Sequence, residues 1–239
     1  MPLARLQYFS NALQKQTAVN LILPESASAP FVPWLLLHGL SDDETMWARR
    51  TSLERYVEGL PVMVAMPDGG RGFYVDAPEG YAYYRALADE LTVMLAKYFN
   101  LRPEWAVGGL SMGGYGAVRF GLGRPGTFRS VHAHSAALGF GHLARYADRP
   151  DLARLLDADG LSPENDLHLL ATSVADRPAL RIDCGTEDFL LDDNRAFHAH
   201  LDSLGFAHEY EEFPGAHDWA YWDRHVQDQL AFHRKNLGF

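Results

Sequence analysis

The sequence predicts an α/β fold, a mostly parallel central sheet with helices on both faces, and three observations carry that expectation. Short apolar runs alternate with helix-length amphipathic stretches almost from end to end of the 239 residues, as successive βα units require. Two of the runs, Trp34-Leu35-Leu36-Leu37 and Val62-Met63-Val64-Ala65-Met66, are wholly apolar, the pattern of strands buried on both faces. Each stops at turn-forming residues, His38-Gly39 in one case and Pro67-Asp68-Gly69-Gly70 in the other, so the strand ends open into loops.

The elements follow in chain order. Residues 6–10 and 17–23 read as a strand pair closed through 11–16, and Pro24 ends the second strand. The apolar runs at 34–37 and 62–66 are the next two strands. Residues 81–99 place Leu87, Leu91, Met94, Leu95 and Tyr98 on one buried helical stripe. Trp105-Ala106-Val107 is a further strand, which runs into a glycine-dense turn over 108–116 and a helix to about Leu122. Strands at 130–135 and 180–184 are separated by a polar, helix-rich insertion at about 139–176, read as a small lid or wall over a site inside one domain spanning 1–239. A helix over 189–204, a strand over 208–213 and a helix over 219–235 complete the chain.

Composition narrows the function classes. With 47% hydrophobic and 22% charged residues the chain is globular, and it is long enough to bury a core without disulfides or metals. Its 21 Lys plus Arg against 31 Asp plus Glu give a net charge of −10 with no basic run, which argues against nucleic acid or an anionic membrane surface as partner. The single cysteine, Cys184, excludes an intramolecular disulfide and fits a reducing compartment. The first residues lack a basic stretch followed by an apolar one, so the expectation is a cytoplasmic protein.

The strongest local signal is Gly109-Leu110-Ser111-Met112-Gly113, a G-x-S-x-G between a predicted strand and a predicted helix. A serine on so tight a turn has a strained backbone, and the flanking glycines relieve the crowding. The helix starting at Met112 brings N–H groups and a positive dipole end beside the hydroxyl, where an oxyanion would form. Serine needs a base, and the base needs an orienting group. His217, in Pro214-Gly215-Ala216-His217-Asp218-Trp219 between the last strand and last helix, is the base by position. The acid comes from Cys184-Gly185-Thr186-Glu187-Asp188, where Asp188 in the loop is preferred and Glu187 competes. Asp183 lies within a strand, and Asp192 and Asp193 read as first-turn helix acids. His132 and His134 share a strand face, but no third metal ligand stands at a usual spacing, so packing is their expected role and no metal or cofactor is expected. The second oxyanion donor is assigned to the Leu40 N–H in the His38-Gly39-Leu40 loop, alongside that of Met112.

The set Leu36-Leu37-His38-Gly39-Leu40-Ser41, Trp47, Phe73-Tyr74-Val75-Asp76, Glu90-Leu91, the Ser111 motif continued to Gly114, and the segments around Asp188 and His217 resembles the esterase D-like α/β-hydrolases, particularly their tributyrin-esterase branch. That resemblance spans nearly the whole chain. It implies an α/β-hydrolase fold, Ser111, Asp188 and His217 as catalytic residues, and hydrolysis of short-chain acyl esters. S-formylglutathione hydrolases and feruloyl esterases are relatives of that family. The former usually read L-T-C and S-M-G-G-H-G where this chain has Leu40-Ser41-Asp42 and Ser111-Met112-Gly113-Gly114-Tyr115-Gly116, which points away from a thioesterase.

The expected function is therefore a serine carboxylesterase acting through an acyl-enzyme, its partner a small acyl ester and its state of oligomerisation open. A thioesterase, a sugar-ester deacetylase and a catalytically silent ligand-binding scaffold are the other readings. Trp47 and Tyr115 are the expected substrate-pocket residues, from an aromatic set that includes Phe73, Tyr74, Phe140 and Trp219. Arg145, Arg149 and Arg154 in the insertion read as a solvated face or as contacts for an anionic substrate.

Overall fold

The computed structural model describes every residue except 26, 79, 141–148 and 157–160. Among the described residues eight strands form one sheet: β1 (Leu3–Ser10), β2 (Lys15–Ile22), β3 (Val32–Leu37), β4 (Val62–Pro67), β5 (Trp105–Leu110), β6 (Phe128–His134), β7 (Ala179–Gly185) and β8 (Glu209–Phe213). Their spatial order is β1-β2-β4-β3-β5-β6-β7-β8. The β1–β2 hairpin joins β4 antiparallel, and every later pairing is parallel. The expected mostly parallel sheet is thus present, with an antiparallel hairpin at one edge.

Helices cover both faces because the central strands alternate which side they bury. Leu35, Leu37, Met63, Ala65, Val131 and Ile182 face one core; Trp34, Leu36, Val62, Val64 and Met66 face the other. The first core takes α3 (Thr92–Tyr98), α4 (Met112–Gly123) and α7 (Leu191–Ser203). The second takes the short α1 (Met46–Arg50) and α2 (Leu53–Tyr56), together with α8 (Trp219–Leu237). Asp218 caps α8, its carboxylate accepting from the Tyr221 N–H at 3.0 Å, and Gly238 ends the helix in the left-handed conformation. Among the described residues no helix is long and apolar enough to cross a membrane.

Three details depart from the sequence pattern. Gly108 and Gly109 belong to β5 rather than to the turn after it. The helix expected over 81–99 is π-helical from Arg85 to Leu91 before continuing as α3, and Tyr98 stands exposed instead of joining the stripe. Glu90, on the π segment, accepts from Ser10 Oγ at 2.6 Å and the Ala12 N–H at 2.9 Å, pinning the hairpin turn. The insertion is less polar than expected. In its described parts, which include α5 (Pro150–Ala153) and α6 (Leu167–Ser173), Leu152, Leu155, Leu167 and Ala171 are buried in the first core. Residues 141–148 and 157–160 of that predicted lid, Arg145 among them, lie outside the described residues.

Between the sheet and α8 lies a fully buried polar network. Asp183 on β7 accepts from His132 Nε2 at 2.5 Å, His134 Nδ1 at 2.9 Å and Tyr221 Oη at 2.8 Å. His134 Nε2 stands 2.9 Å from Gln229 Oε1, and Ser130 Oγ stands 2.7 Å from His233 Nδ1. Gln229 occupies the space that a Cβ at position 108 would need, so β5 carries glycine there. These hydrogen bonds are what make so much buried polarity tolerable.

Burial lowers the pKa of His132 to about 3 and that of His233 well below the ordinary imidazole range. The unfolded chain protonates both near pH 6.5, so their contribution is complete above that pH and lost progressively as pH falls towards the folded values. The carboxyl of Asp183, depressed by His134 and His132 against its own burial, adds a loss only in stronger acid, below about pH 4. Unfolding free energy measured in urea is therefore expected to drop by roughly 1.5 kcal/mol from His132 between pH 6.5 and pH 5, with a further drop in the same direction from His233. His233→Asn, whose carboxamide nitrogen replaces the Nδ1 donor, should show a shallower drop; an identical slope would contradict the assignment.

Candidate active site

The carboxyl ends of β3, β5, β7 and β8 converge on one edge of the sheet, and the site is assembled there. Ser111 sits between β5 and α4 with φ 54° and ψ −117°, a conformation that costs a non-glycine residue on the order of 1–3 kcal/mol. Three backbone hydrogen bonds hold it: its N–H donates to the His134 carbonyl at 2.9 Å, and its own carbonyl accepts from Tyr115 and Ala137 at 3.1 Å each. The flanking glycines are required by close approach. A Cβ at Gly109 would lie 2.6 Å from the Gly113 carbonyl, and one at Gly113 would lie 2.7 Å from the His38 carbonyl oxygen.

His217, in the loop after β8, places Nε2 3.1 Å from Ser111 Oγ. Its Nδ1 stands 2.8 and 3.0 Å from the two carboxylate oxygens of Asp188, in the loop after β7. The Asp188 carboxylate is buried and also accepts from the Leu190 N–H at 2.8 Å, whereas Glu187 beside it is exposed. Of the two candidate acids, Asp188 is the one whose carboxylate reaches the imidazole. The two loops are tied to each other by the Glu187 N–H donating to the Gly215 carbonyl at 2.9 Å. The His217 ring is packed between Phe189 (4.5 Å between centroids) and Trp222 (4.9 Å), which limits its rotation.

The loop after β3 brings Gly39 beside the elbow, where a Cβ on Gly39 would lie 3.8 Å from that of Ser111. His38 fixes this loop. Its Nε2 accepts from the Gly69 N–H at 2.8 Å and its Nδ1–H donates to the Gly39 carbonyl at 2.7 Å, so one tautomer is selected. Burial holds the His38 pKa below the ordinary value, consistent with a neutral ring. Tyr74 Oη adds a 2.9 Å hydrogen bond to the His38 carbonyl. Met112 opens α4, where the first N–H groups have no acceptor within the helix. Sequence reasoning used His38 only as part of a motif; its role as a tether depends on Gly69, 31 residues away.

A cavity of about 150 Å³ opens beside Ser111, lined by Leu40, Phe73, Ala137, Arg149, Leu152, Phe189 and Leu190. Trp47 and Tyr115 do not line it, which corrects the expected pocket. Trp47 is buried in the second core, its Nε1–H donating to the Leu37 carbonyl at 3.0 Å. Tyr115 points into the first core and donates to the Asn165 carbonyl at 2.6 Å. Both are fixed by a polar partner that the sequence does not reveal. The residues missed, Ala137, Leu152, Phe189 and Leu190, are unremarkable in type; only the position of Phe189 and Leu190 next to Asp188 hinted at them. His132 and His134 do meet a third potential metal ligand, Asp183 on the neighbouring strand, but that carboxylate is already engaged by three donors.

A model of the family described as "Putative esterase" matches residues 10–233. Among curated proteins, an acetyl esterase of Caldicellulosiruptor saccharolyticus is 27% identical over 98% of this chain and 99% of its own length. Among solved structures, the substrate-bound fluorophosphonate-binding serine hydrolase F of Staphylococcus aureus is 29% identical, with a TM-score of 0.86 over 96% of this chain and 97% of that one. An S-formylglutathione hydrolase from the same organism is 28% identical, also with a TM-score of 0.86 over 96% and 97%.

The crowding at the elbow gives a direct test. Gly113→Ala puts a methyl group against the carbonyls of Leu37 and His38, both backbone atoms that cannot swing away. A loss of about 2–4 kcal/mol in stability is expected by chemical denaturation, the range of a severe core clash. A variant as stable as the parent would show that the approach is looser than described.

Proposed function

The chain belongs to that esterase family and is a serine hydrolase of carboxylic esters, and on that premise we propose that Ser111, Asp188 and His217 are its catalytic residues. The observation that carries the reading is the unbroken hydrogen-bonded line from Asp188 through His217 to Ser111 Oγ at the mouth of a cavity. His217 Nε2 takes the Ser111 proton as Oγ attacks the ester carbonyl, and the imidazolium is stabilised by Asp188 at Nδ1. The Leu40 and Met112 N–H groups receive the oxyanion. Protonated His217 then passes its proton to the departing alcohol, leaving an acyl-serine. Water attacks by the same route, with His217 as base, and frees the acid.

The cavity supports a short acyl group. About 150 Å³ accommodates a few carbons, and Phe73, Leu152 and Leu190 close its sides with apolar surface. Leu152, from the insertion, makes that segment the wall of the site within a single domain, as a lid would be. Arg149 marks the polar limit of the cavity.

Ser111→Ala should reduce p-nitrophenyl acetate turnover by at least about 10⁴ and abolish fluorophosphonate labelling, with Tm retained. A residual rate above about a hundredth of the parent's would overturn the nucleophile assignment. Glu187→Gln, by contrast, is expected to keep kcat within about twofold, since that side chain is exposed. In a series of p-nitrophenyl esters, kcat/KM should peak between acetyl and butyryl and fall at least about tenfold by octanoyl; a maximum at octanoyl or longer would contradict the cavity reading.

A further inference from the structure

A second group of side chains, away from the serine, is arranged as a metal site. We propose that His198, Asp202 and His208 bind a borderline divalent cation of the Zn²⁺ class, the fourth position being left to water. His198 and Asp202 are four residues apart on α7 and so share one helical face; His208 lies just before β8. One ligand atom from each residue lies within 4.8 Å of the other two, at the surface and reachable from solvent.

The surroundings prepare these groups for a cation. The His208 Nδ1–H donates to the Phe206 carbonyl at 2.7 Å, leaving Nε2 as the nitrogen with a lone pair. A backbone carbonyl on the far ring nitrogen is the usual companion of a metal-bound imidazole. That Nε2 faces His198 Nδ1 at 2.7 Å, and His198 Nε2 faces Asp202 Oδ2 at 3.5 Å. Two imidazoles and a carboxylate therefore converge, with one short contact between the rings. The His198 ring is held in place by stacking on Tyr210, centroids 4.3 Å apart and planes 8° apart. Tyr210 is held in turn by Glu212 at 2.9 Å, and Glu212 by Arg195 through two 2.7 Å contacts. Two imidazoles and a carboxylate suit Zn²⁺ better than the harder Mg²⁺ or Ca²⁺.

The buried trio His132, His134 and Asp183 is the rival location. There the carboxylate is spent on three donors and no atom is exposed, so a cation would have to displace hydrogen bonds without a path from solvent. At the surface trio it displaces one proton-sharing contact between two rings.

Zn²⁺ titrated calorimetrically into full-length protein freed of metal by a chelator should bind one equivalent with a Kd of about 100 µM or tighter, and raise Tm by about 3 °C or more at saturation. Asp202→Asn should weaken binding at least about tenfold and His198→Ala/His208→Ala at least about a hundredfold, while turnover of p-nitrophenyl acetate by the metal-free variants stays at the parent value. That turnover also certifies that the variants are folded. Parent binding weaker than about 100 µM, or equal affinity in the parent and the double variant, as the buried trio would produce, overturns the proposal.

Discussion

The approach of the β5–α4 elbow to the carbonyls of Leu37 and His38 is the constraint on which the site depends. Ser111 can hold a positive φ only because two side-chain-free positions let the turn close over the end of β3. The strain is offset locally by hydrogen bonds to His134, Tyr115 and Ala137, which come from β6, α4 and the loop after β6. Phe73, Tyr74 and Ser135 are likewise left-handed, and they cluster at this same sheet edge.

Much of this was legible in the chain. The alternation of apolar runs gave the parallel sheet, and chain order placed Ser111, Asp188 and His217 in loops that the topology brings together. What escaped was decided by single tertiary contacts. An aromatic residue near a motif looks like a pocket wall, yet Trp47 and Tyr115 are turned inward by carbonyls of Leu37 and Asn165. Spacing rules find ligands within one helix or strand, so Asp183, 49 residues beyond His134, had no signal until β6 and β7 paired. The π-helical turn before α3 was equally silent, because apolar spacing of four residues suits either helix.

Charge is handled differently on the two sides of the sheet. The surface is acidic, whereas the α8 side encloses three imidazoles and one carboxylate with almost no water contact. Removing one member of such a network leaves a partner unsatisfied, which is why its cost exceeds that of an apolar truncation of similar size. Cys184, at the end of β7, is buried as well: burial pushes its thiol pKa up, so its chemistry is quiet beside Asp188.

The pairing of Gly108 with Gln229 acts as a datum for length along α8. An apolar helix can slide on a sheet at little cost, but Gln229 fits one gap and faces His134 in one register only. His217 stands two residues ahead of that helix. The height of its imidazole above Ser111 is consequently gauged by Gln229, ten residues beyond the start of α8, against a missing methyl group on the strand that leads into Ser111.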